Sequence, residues 1–381
     1  MTSVDRWLLP DGIEELLPGP AARVEALRRT LLDLHRRWGY QLVMPPLVEF
    51  TESLLIGLGS DIDMLTFRLT DQLSGRGMGI RADITPQVAR IDAHSLADDG
   101  VGRYCYAGSV LHTRPVTLLG SRSPIKLGAE LYGDASLQAD IEVISLMLET
   151  LKAAGVEALT LDLGHVGICR TLLAGSGLDA AQQAAVYDAL QRKSLPDLKP
   201  LLENVPGGAT LLALASLHGG RDVLDRLPDD LDKTAVTQLR EVAKAVAQRY
   251  PDVELYVDLA ELRGYQYHTG LVFAAYVPGQ GKALANGGRY DDVGEVFGRP
   301  RPATGFNTDL KILADFVAVE QAEDRRAIAA PAEGDAAMWA AVDALRAAGE
   351  IVIHSLSGER DVRCGRALVE RDGQWTVEDQ L

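Results

Sequence analysis

Apolar and polar residues recur along the first part of the chain with periods that predict a helix and a short strand. From Pro20 to Trp38 the apolar residues follow one another at steps of three and four, which predicts an amphipathic helix with an arginine-rich outer face. An apolar run from Gln41 to Met44 then predicts a strand that Pro45 stops. The chain therefore opens with a helix followed by a strand.

Further apolar runs predict strands before the next long helix. They cover Met64 to Thr70, Met78 to Asp83, Arg103 to Leu111 and Lys126 to Tyr132. Because only one short helix, Thr85 to Ser95, separates them, the order favours an antiparallel sheet over a series of βαβ units. A helix over Ala139 to Ala154 and a strand over Ala158 to Gly164 follow.

A change of composition marks the middle of the chain. Arg170 to Tyr250 is rich in Ala, Leu and Gln and has a helical pattern almost throughout. We therefore predict a separate, all-helical insertion over about residues 170–250. Strand patterns return at Val253 to Leu259 and at Gly270 to Tyr276, and a helix is predicted over Thr308 to Val319. These patterns together predict one α+β domain over residues 1–320.

The last part of the chain predicts a second, smaller unit. The charged segment from Gln321 to Arg326 has the composition of a linker. After it come patterns for a strand (Ala327 to Ala330), a helix (Asp335 to Ala348), a strand (Glu350 to His354) and a hairpin near Asp372. We therefore predict a small, truncated α/β domain over residues 325–381.

Composition and charge narrow the class of protein. The 381 residues are 47% hydrophobic and 24% charged, as in ordinary globular proteins, and no stretch approaches the roughly 20 apolar residues of a membrane helix. The net charge of −16 disfavours nucleic-acid binding. Because Cys105, Cys169 and Cys364 lie far apart without metal-binding spacing, we expect reduced thiols, a cytoplasmic location and no metal site.

The segment from Glu261 to Gly270, with Asn286 to Asp291 beyond it, carries the richest chemistry. It combines a cation, aromatic rings and glycines, which is the composition of a small-molecule pocket. Arg263 can grip a carboxylate or phosphate, and His268 can hydrogen-bond a polar ligand. Two alternatives stay open: His268 is a structural histidine, or Gly287 and the next glycine form only a hairpin turn.

Two other segments place carboxylates beside small residues. Asp83 and Thr85 project to one side of an extended segment and can hold an ammonium group, although capping of the helix near Pro86 is favoured for this pair alone. Glu130 follows Gly128 in an apolar strand, so it either faces solvent or meets a ligand. The sequence has no Walker loop, GxGxxG, HExxH or nucleophile elbow, and we expect no cofactor and no catalytic residue.

Taken in this order, the segments resemble the catalytic domain of class II histidyl-tRNA synthetases over roughly residues 5 to 320. The helix after Leu17 and the segment from Gly39 to Glu49 look like the dimer-forming first motif of that family. Its histidine-binding motifs are matched by Arg81 to Thr85, Gly128 to Gly133, Arg263 to Gly270 and Gly287 to Asp291. The resemblance implies a class II synthetase-like antiparallel sheet flanked by helices.

The segments that would bind ATP depart from the synthetase pattern. Where that family has Phe-Arg-x-Glu-Arg-Pro in its second motif, this chain is one residue shorter, with His112 near one expected arginine and Arg114 matching either of two. In the third motif Ile312 replaces an arginine and Asp309 replaces a glycine. Because fixed arginines meet the phosphate charge during adenylate formation, we expect poor ATP binding.

This set of losses resembles the family of ATP phosphoribosyltransferase regulatory subunits, synthetase-like proteins that partner the short-form catalytic subunit in the first step of histidine biosynthesis. The resemblance implies a non-catalytic chain that forms a homodimer, assembles with the catalytic subunit into a hetero-oligomer and binds L-histidine as a feedback effector. Two alternatives stay open: a divergent histidyl-tRNA synthetase-like aminoacylating enzyme, and an amino-acid sensor outside histidine biosynthesis.

The resemblance also implies a set of histidine-binding residues. In it, Glu130 and Asp83 hold the ammonium group, Arg263 meets the carboxylate, and Tyr267 and His268 line the imidazole pocket. The complete predicted set is Asp83, Thr85, Lys126, Glu130, Arg263, Tyr267 and His268.

Overall fold

The computed structural model describes residues 7–55, 60–116, 120–228, 231, 233–317, 327–356 and 361–379. The chain divides into two compact units, Met1–Val317 and Ala318–Leu381. The predicted linker from Gln321 to Arg326, and with it the predicted boundary between residues 320 and 325, lies outside the described residues and stays a prediction.

The described strands of the first unit are two to eight residues long. They are β1 (Gln41–Leu42), β2 (Val48–Phe50), β3 (Phe67–Thr70), β4 (Gly77–Ile80), β5 (Gly102–Ser109), β6 (Ile125–Tyr132), β7 (Thr160–His165), β8 (His218–Gly219), β9 (Glu254–Asp258), β10 (Leu271–Tyr276), β11 (Ala285–Arg289) and β12 (Ala303–Asp309). β2, β4 and β3 form a small antiparallel sheet, and the others form the central sheet.

The helices of this unit vary from one turn to five. They are α1 (Pro18–Arg37), α2 (Thr51–Leu54), α3 (Ser60–Leu65), α4 (Thr85–Arg90), α5 (Leu137–Ala153), α6 (Val166–Ala174), α7 (Ala180–Gln191), α8 (Leu195–Leu201), α9 (Gly208–Leu214), α10 (Lys233–Arg249) and α11 (Leu310–Leu313). α1 confirms the predicted amphipathic helix, because its apolar stripe of Val24, Leu27 and Leu31 is buried. A proline in the first turn suits its start, since that amide has no partner within the helix.

Among the described residues, nine strands form the central sheet in the order β1-β5-β6-β12-β11-β10-β7-β9-β8. Its middle is antiparallel, as predicted, but the pairs β1/β5 and β7/β9 are parallel. Long connections account for both exceptions, because a chain that returns through helices can re-enter a sheet in the same direction. The sheet is therefore mixed.

The two faces of the central sheet differ in chemistry. Residues paired across neighbouring strands share a face, and one face carries the row Tyr106, Gly128, Asn307, Asn286, Ala274 and Asp162. The next row on this face contains Glu130, Gly305 and Gly288. The opposite face carries Leu127, Ala129, Leu131, Phe273 and Phe306, which belong to the main hydrophobic core. We call the face that carries Glu130, Gly305 and Gly288 the site face.

α1 and α5 cover the core face of the sheet. Fully burying one Leu or Phe side chain there stabilises the folded state by about 1.5–3 kcal/mol. The core also shields the opposite side of the central sheet, behind the site face, from water. The site face carries glycine and polar residues instead, which leaves room above the strands for a ligand.

The predicted insertion is mostly helical but shares its core with the sheet. Leu190 and Leu211 of its helices lie in the same buried cluster as Leu161 and Phe273 of the central sheet. The two-residue strand β8 interrupts the helices and pairs with β9 at the edge of the sheet. The expectation of a separate all-helical unit is therefore wrong, because the leucines of these helices share one hydrophobic core with the sheet and α10 packs on β7.

The second unit is a four-stranded sheet with one helix on it. Its strands are β13 (Ala327–Pro331), β14 (Val352–Ser355), β15 (Cys364–Arg371) and β16 (Gln374–Asp379), in the order β14-β13-β15-β16. α12 (Ala336–Ala347) packs Met338 and Val342 against Ile328 and Leu368. Asp372 and Gly373 have positive φ values of 51° and 77°, which suits the predicted hairpin turn.

Two other sequence predictions, and one alternative that the sequence left open, are wrong. The helix predicted from Thr308 is strand β12 up to Asp309 and only the short α11 after it. Met64 lies in helix α3 and not in a strand. Gly287 and Gly288 lie in the middle of β11 and not in a hairpin turn. Tertiary pairing overrode the local patterns at Thr308 and at the two glycines, since β11 and β12 pair with strands on both sides.

Candidate functional site

Two neighbouring cavities lie on the site face and share Asn286 and Asn307 in their walls. The first, here called the small pocket, has a volume of about 60 Å³. Its walls include Asp83, Thr85, Glu130, Tyr267, His268 and Tyr290, over Gly288 and Gly305. The second, here called the wide cavity, has a volume of about 540 Å³, and its walls include His112, Lys126, Lys282, Asp309, Lys311 and Ile312.

Glu130 is the buried acid of the small pocket. It is only 1% exposed, and its carboxyl group accepts hydrogen bonds from Thr85 Oγ1 at 2.8 Å, from Tyr106 Oη at 3.0 Å and from the Tyr290 hydroxyl. Burial raises the pKa of Glu130 to about 8. The described contacts of this carboxyl group are with hydroxyls and include no cation, so a cationic ligand would complete its surroundings.

Gly305 makes the position of Glu130 possible. It lies directly opposite Glu130 in the register of β12 and β6. A Cβ atom built on Gly305 would lie 1.5 Å from Glu130 Oε2 and 2.8 Å from the carbonyl oxygen of Ala129. The carboxyl group therefore lies over the strand only because residue 305 has no side chain.

Asp83 and Thr85 reach the pocket from the segment after β4. Asp83 Oδ1 accepts a hydrogen bond from the amide of Ile84 at 2.8 Å, and α4 begins without a side-chain cap. The interpretation of this pair as a helix cap is therefore wrong: the Thr85 hydroxyl points to Glu130 instead. The nearby negative charge of Asp83 helps to raise the pKa of Glu130, so two acidic groups face one space.

His268 offers a hydrogen-bond acceptor to the small pocket. It is 4% exposed, and its Nδ1 lies 2.9 Å from the carbonyl oxygen of Arg263. Because a carbonyl only accepts, Nδ1 carries the proton and Nε2 keeps its lone pair. Burial lowers the pKa of His268 to about 4, so the ring stays neutral at physiological pH.

The glycines around His268 fix its place. The turn that carries the ring has Gly264 at φ 61°, and its carbonyl accepts hydrogen bonds from the amides of Tyr267 and His268. A Cβ atom on Gly288 would lie 2.7 Å from His268 Nε2. The ring therefore lies against the bare backbone of β11. The ring of Tyr267 lies beside it, with the ring centres 4.2 Å apart and the planes tilted by 46°.

Arg263 does not join the other predicted residues. Its guanidinium donates to Asp162 Oδ2 at 3.2 Å and to Glu261 Oε2 at 2.9 Å, and it lies 5.8 Å from the centre of the Tyr276 ring. Burial, with the neighbouring charge of Glu261, raises the pKa of Asp162 to about 6. The structure thus places Arg263 beside the pocket, paired with two acids, and its side chain lines neither cavity.

Lys126 lies at the boundary between the two cavities. Its ammonium group donates to Asn307 Oδ1 at 2.9 Å, and Asn307 lines both spaces. Of the seven predicted residues, the structure brings five into the small pocket, namely Asp83, Thr85, Glu130, Tyr267 and His268. Lys126 reaches its edge, and Arg263 stays outside.

The wide cavity contains the altered second and third motifs. His112 Nε2 donates to the carbonyl oxygen of Ala82 at 2.9 Å, and Arg114 is exposed, 3.8 Å from Met64 Sδ. Asp309 caps α11 by accepting from the Lys311 amide at 3.0 Å. The described lining has lysines but no arginine.

Several pocket residues were not predicted from the sequence. Tyr106 and Tyr290 bond to Glu130, and Asn286 and Asn307 form the wall that both cavities share. Tyr290 lies in a motif already singled out. Tyr106 and Asn307 would have required the strand register, because only the pairing with Gly128 brings them beside one another.

The described residues show neither a metal site nor a membrane span. No group of three or more His, Cys, Asp or Glu among them is arranged to hold a metal ion. No helix in the described ranges is long and apolar enough to cross a bilayer.

Family comparisons cover both units of the chain. A family model for histidyl-tRNA synthetase matches residues 12–313, and one for the ATP phosphoribosyltransferase subunit HisZ C-terminal domain matches residues 325–378. The ATP phosphoribosyltransferase regulatory subunit of Ectopseudomonas mendocina (strain ymp) is 54% identical over 99% of both chains. That of Thioalkalivibrio sulfidiphilus (strain HL-EbGR7) is 55% identical over 100% of both.

Solved structures agree with the class II synthetase-like fold that the sequence predicts. An ATP phosphoribosyltransferase regulatory subunit/histidyl-tRNA synthetase from Bacillus halodurans has a TM-score of 0.80 at 26% identity, over 93% of this chain and 94% of that chain. A histidyl-tRNA synthetase from Nostoc sp. PCC 7120 has a TM-score of 0.76 at 19% identity, over 95% and 91%, which supports the fold alone. The predicted fold class and resemblance are confirmed: this chain belongs to the ATP phosphoribosyltransferase regulatory subunit family.

Proposed function

We propose that this chain activates a separate short-form ATP phosphoribosyltransferase subunit and that L-histidine, bound in the small pocket, regulates the assembly. The observation that carries the proposal is the buried carboxyl group of Glu130, which has hydroxyl partners but no described cation. It lines the same pocket as His268, whose Nε2 is a neutral acceptor. The ammonium group of an amino acid satisfies the first group. An imidazole N–H of histidine satisfies the second.

The other predicted residues that line the small pocket fit this ligand. Asp83 adds a second acidic group for the ammonium, and Thr85 holds Glu130 in place at 2.8 Å. Tyr267 and His268 present two aromatic rings to the wall of the small pocket, which a flat ring can contact. An amino acid with an aliphatic side chain would leave His268 Nε2 without a donor, and an unsatisfied buried acceptor disfavours such ligands.

In this proposal the chain regulates its catalytic partner and does not itself activate amino acids. Adenylate formation needs fixed cations around the transferring phosphates. In the wide cavity Ile312 offers only a hydrocarbon side chain, Asp309 adds an anion, and the His112 imidazole is occupied by the Ala82 carbonyl. Burial also lowers the pKa of His112, so this ring brings no positive charge at neutral pH.

A homodimer through the first motif is part of the proposal. β1 lies at one edge of the central sheet, where an unpaired backbone can receive a second chain. Leu42, Met44 and Leu47 project large apolar side chains there, and Met44 is 78% exposed. We further propose a cytoplasmic hetero-oligomer that binds no nucleic acid, in keeping with the net charge of −16.

Regulation requires that histidine bind the active and inhibited assemblies with different affinity. A coupling of about 1–3 kcal/mol is typical and corresponds to roughly 5- to 150-fold.

Co-expression with a short-form catalytic subunit tests this function. We expect the two chains to co-purify, the turnover of the catalytic subunit to rise, and histidine to lower it. Glu130→Gln should preserve assembly and stimulation but lose the response to histidine. Glu254→Gln, the same change on β9 at an exposed position, is the matched control. Failure to co-purify or to stimulate turnover would contradict the proposed function.

The histidyl-tRNA synthetase match over residues 12–313 makes aminoacyl activation the second candidate. Histidine-dependent exchange between ATP and pyrophosphate measures it directly. We expect no exchange, because the wide cavity lacks arginines in its described lining. Exchange above the level measured without added histidine would instead favour an aminoacylating enzyme.

A further inference from the structure

Two cations flank the small pocket, and they differ in how their charges are satisfied. Lys126 approaches from β6, and Arg263 approaches from the turn after β9. Either one can reach for the carboxylate of a bound amino acid. The row of paired residues from Gly128 across the site face to Asp162 shows which of them is available.

The guanidinium of Arg263 is held away from the pocket along this row, and its charge is already neutralised by two acids. Its partner Asp162 pairs with Ala274, which pairs with Asn286 of the pocket wall, so Asp162 and Asn286 are separated by two strand spacings. At about 4.8 Å per spacing the separation is about 10 Å. A move of the guanidinium to the pocket would break both of its acid pairs.

Breaking these pairs is unfavourable because the acids lie in a buried place. Asp162 is 9% exposed, and its Oδ1 has no hydrogen-bond partner even while Arg263 holds Oδ2. Without the guanidinium, Asp162 and Glu261 would face one another as two acids without a counter-charge. The paired position of Arg263 is therefore stable.

Lys126 meets the opposite conditions. Among the described residues its ammonium group has one hydrogen bond, to the neutral Asn307, and no ion pair. The carboxylate directly opposite in the register, Asp309, instead accepts from the amides of Ile125 and Lys311. The side chain of Lys126 thus extends along the strands to Asn307 at the edge of the pocket, and its ammonium group has no ion pair among the described residues.

The spacing between Lys126 and Glu130 suits an α-amino acid. Asn307, which holds the Lys126 ammonium, lies two residues along β12 from Gly305, which is opposite Glu130. Two residues of a strand span about 6.6 Å. The ammonium and carboxylate of an amino acid are on one carbon, and each meets its counter-ion at about 2.8 Å. One ligand can therefore contact two side chains whose backbone anchor points are this far apart.

We infer that Lys126, and not Arg263, receives the carboxylate of the amino acid in the small pocket, and that Arg263 is a positioning residue that acts through His268. This inference rests on the proposed function. Arg263 holds the ring through its main chain, since its carbonyl fixes the Nδ1 proton of His268. Its guanidinium anchors that turn to β7 through Asp162. This assignment replaces the sequence-based role of Arg263.

Calorimetric titration with two ligands tests the assignment. L-histidinol carries a hydroxymethyl group in place of the carboxylate and keeps the ammonium and imidazole groups. In the unaltered protein we expect histidine to bind roughly 10- to 100-fold more tightly than histidinol, as for one charge-assisted hydrogen bond. Lys126→Met should bring this ratio close to one. Lys282→Met, which removes an exposed charge from the wall of the wide cavity, should leave it unchanged.

Arg263→Gln provides the second arm. It should weaken both ligands by a similar factor and leave their ratio intact, because the positioning of His268 serves both. An intact ratio in Lys126→Met, or a ratio lost in Arg263→Gln, overturns the inference. If Arg263→Gln does not fold, the Lys126→Met arm decides alone. Absence of any histidine binding to the unaltered protein is a different result, since it refutes the proposed histidine site itself.

Discussion

Histidine binding should release a proton from Glu130. In the free protein, burial raises the pKa of this carboxyl group to about 8, so about nine in ten molecules carry the proton at pH 7. A ligand ammonium beside the carboxylate favours the ionised form and lowers the pKa. Binding at pH 7 should therefore release about 0.9 proton per site.

The same linkage sets the pH dependence of affinity. With a pKa of about 8, Glu130 is ionised in about one in eleven free molecules at pH 7 and in about one in two at pH 8. If the pKa in the bound form is below 7, the association constant follows this ionised fraction and should rise about fivefold. This corresponds to about 1 kcal/mol. The rise should level off above about pH 9, where Glu130 is almost fully ionised in the free protein.

Calorimetry in buffers of different ionisation enthalpy measures the released protons directly. Glu130→Gln should abolish proton release and weaken binding, because the amide cannot pair with the ammonium. Glu254→Gln, on the exposed side of β9, should leave both quantities unchanged. Equal affinity at pH 7 and pH 8, together with enthalpies that do not depend on the buffer, would refute the reasoning.

Three further predictions concern stability and assembly. Gly305→Ala should lower the free energy of unfolding in urea by about 2–4 kcal/mol and abolish histidine binding, because its Cβ would lie 1.5 Å from Glu130 Oε2; unchanged binding would contradict this. Arg289→Met should cost about 3–5 kcal/mol in the same assay, since it leaves the buried Asp140 without its partner at 2.8 Å, and a loss below 1 kcal/mol would argue against the pair. Met44→Asp should shift the sedimenting species from dimer to monomer, because a charge would enter the apolar edge beside β1; a persistent dimer would place the interface elsewhere.

The order of the elements could be predicted from the sequence because it depends on local patterns. The three- and four-residue steps in α1 bury Val24 and Leu31 in any fold that covers one face of that helix. Alternation of apolar residues likewise predicted β6 with Glu130 inside it. The motif order then indicated an amino-acid pocket, and five of its predicted residues do line one space.

Strand pairing determined two features that the local sequence patterns predicted wrongly. Asp83 and Thr85 suit a helix cap locally, but Glu130, brought near by the sheet, takes the Thr85 hydroxyl. The segment before Leu310 has a helical pattern, yet two neighbouring strands hold it extended. In both cases a long-range partner outweighed a weak local preference.

The two cations near the pocket also show what the sequence determines and what the tertiary structure adds. Arg263 and Lys126 are both recognisable in the sequence as cations near the ligand. Only the tertiary structure gives Arg263 two acidic partners and leaves Lys126 with a neutral one. The sequence by itself determines which chemical groups are present and on which elements they lie. Strand register determines which of them meet, because residues far apart in the chain become neighbours only through the pairing of strands.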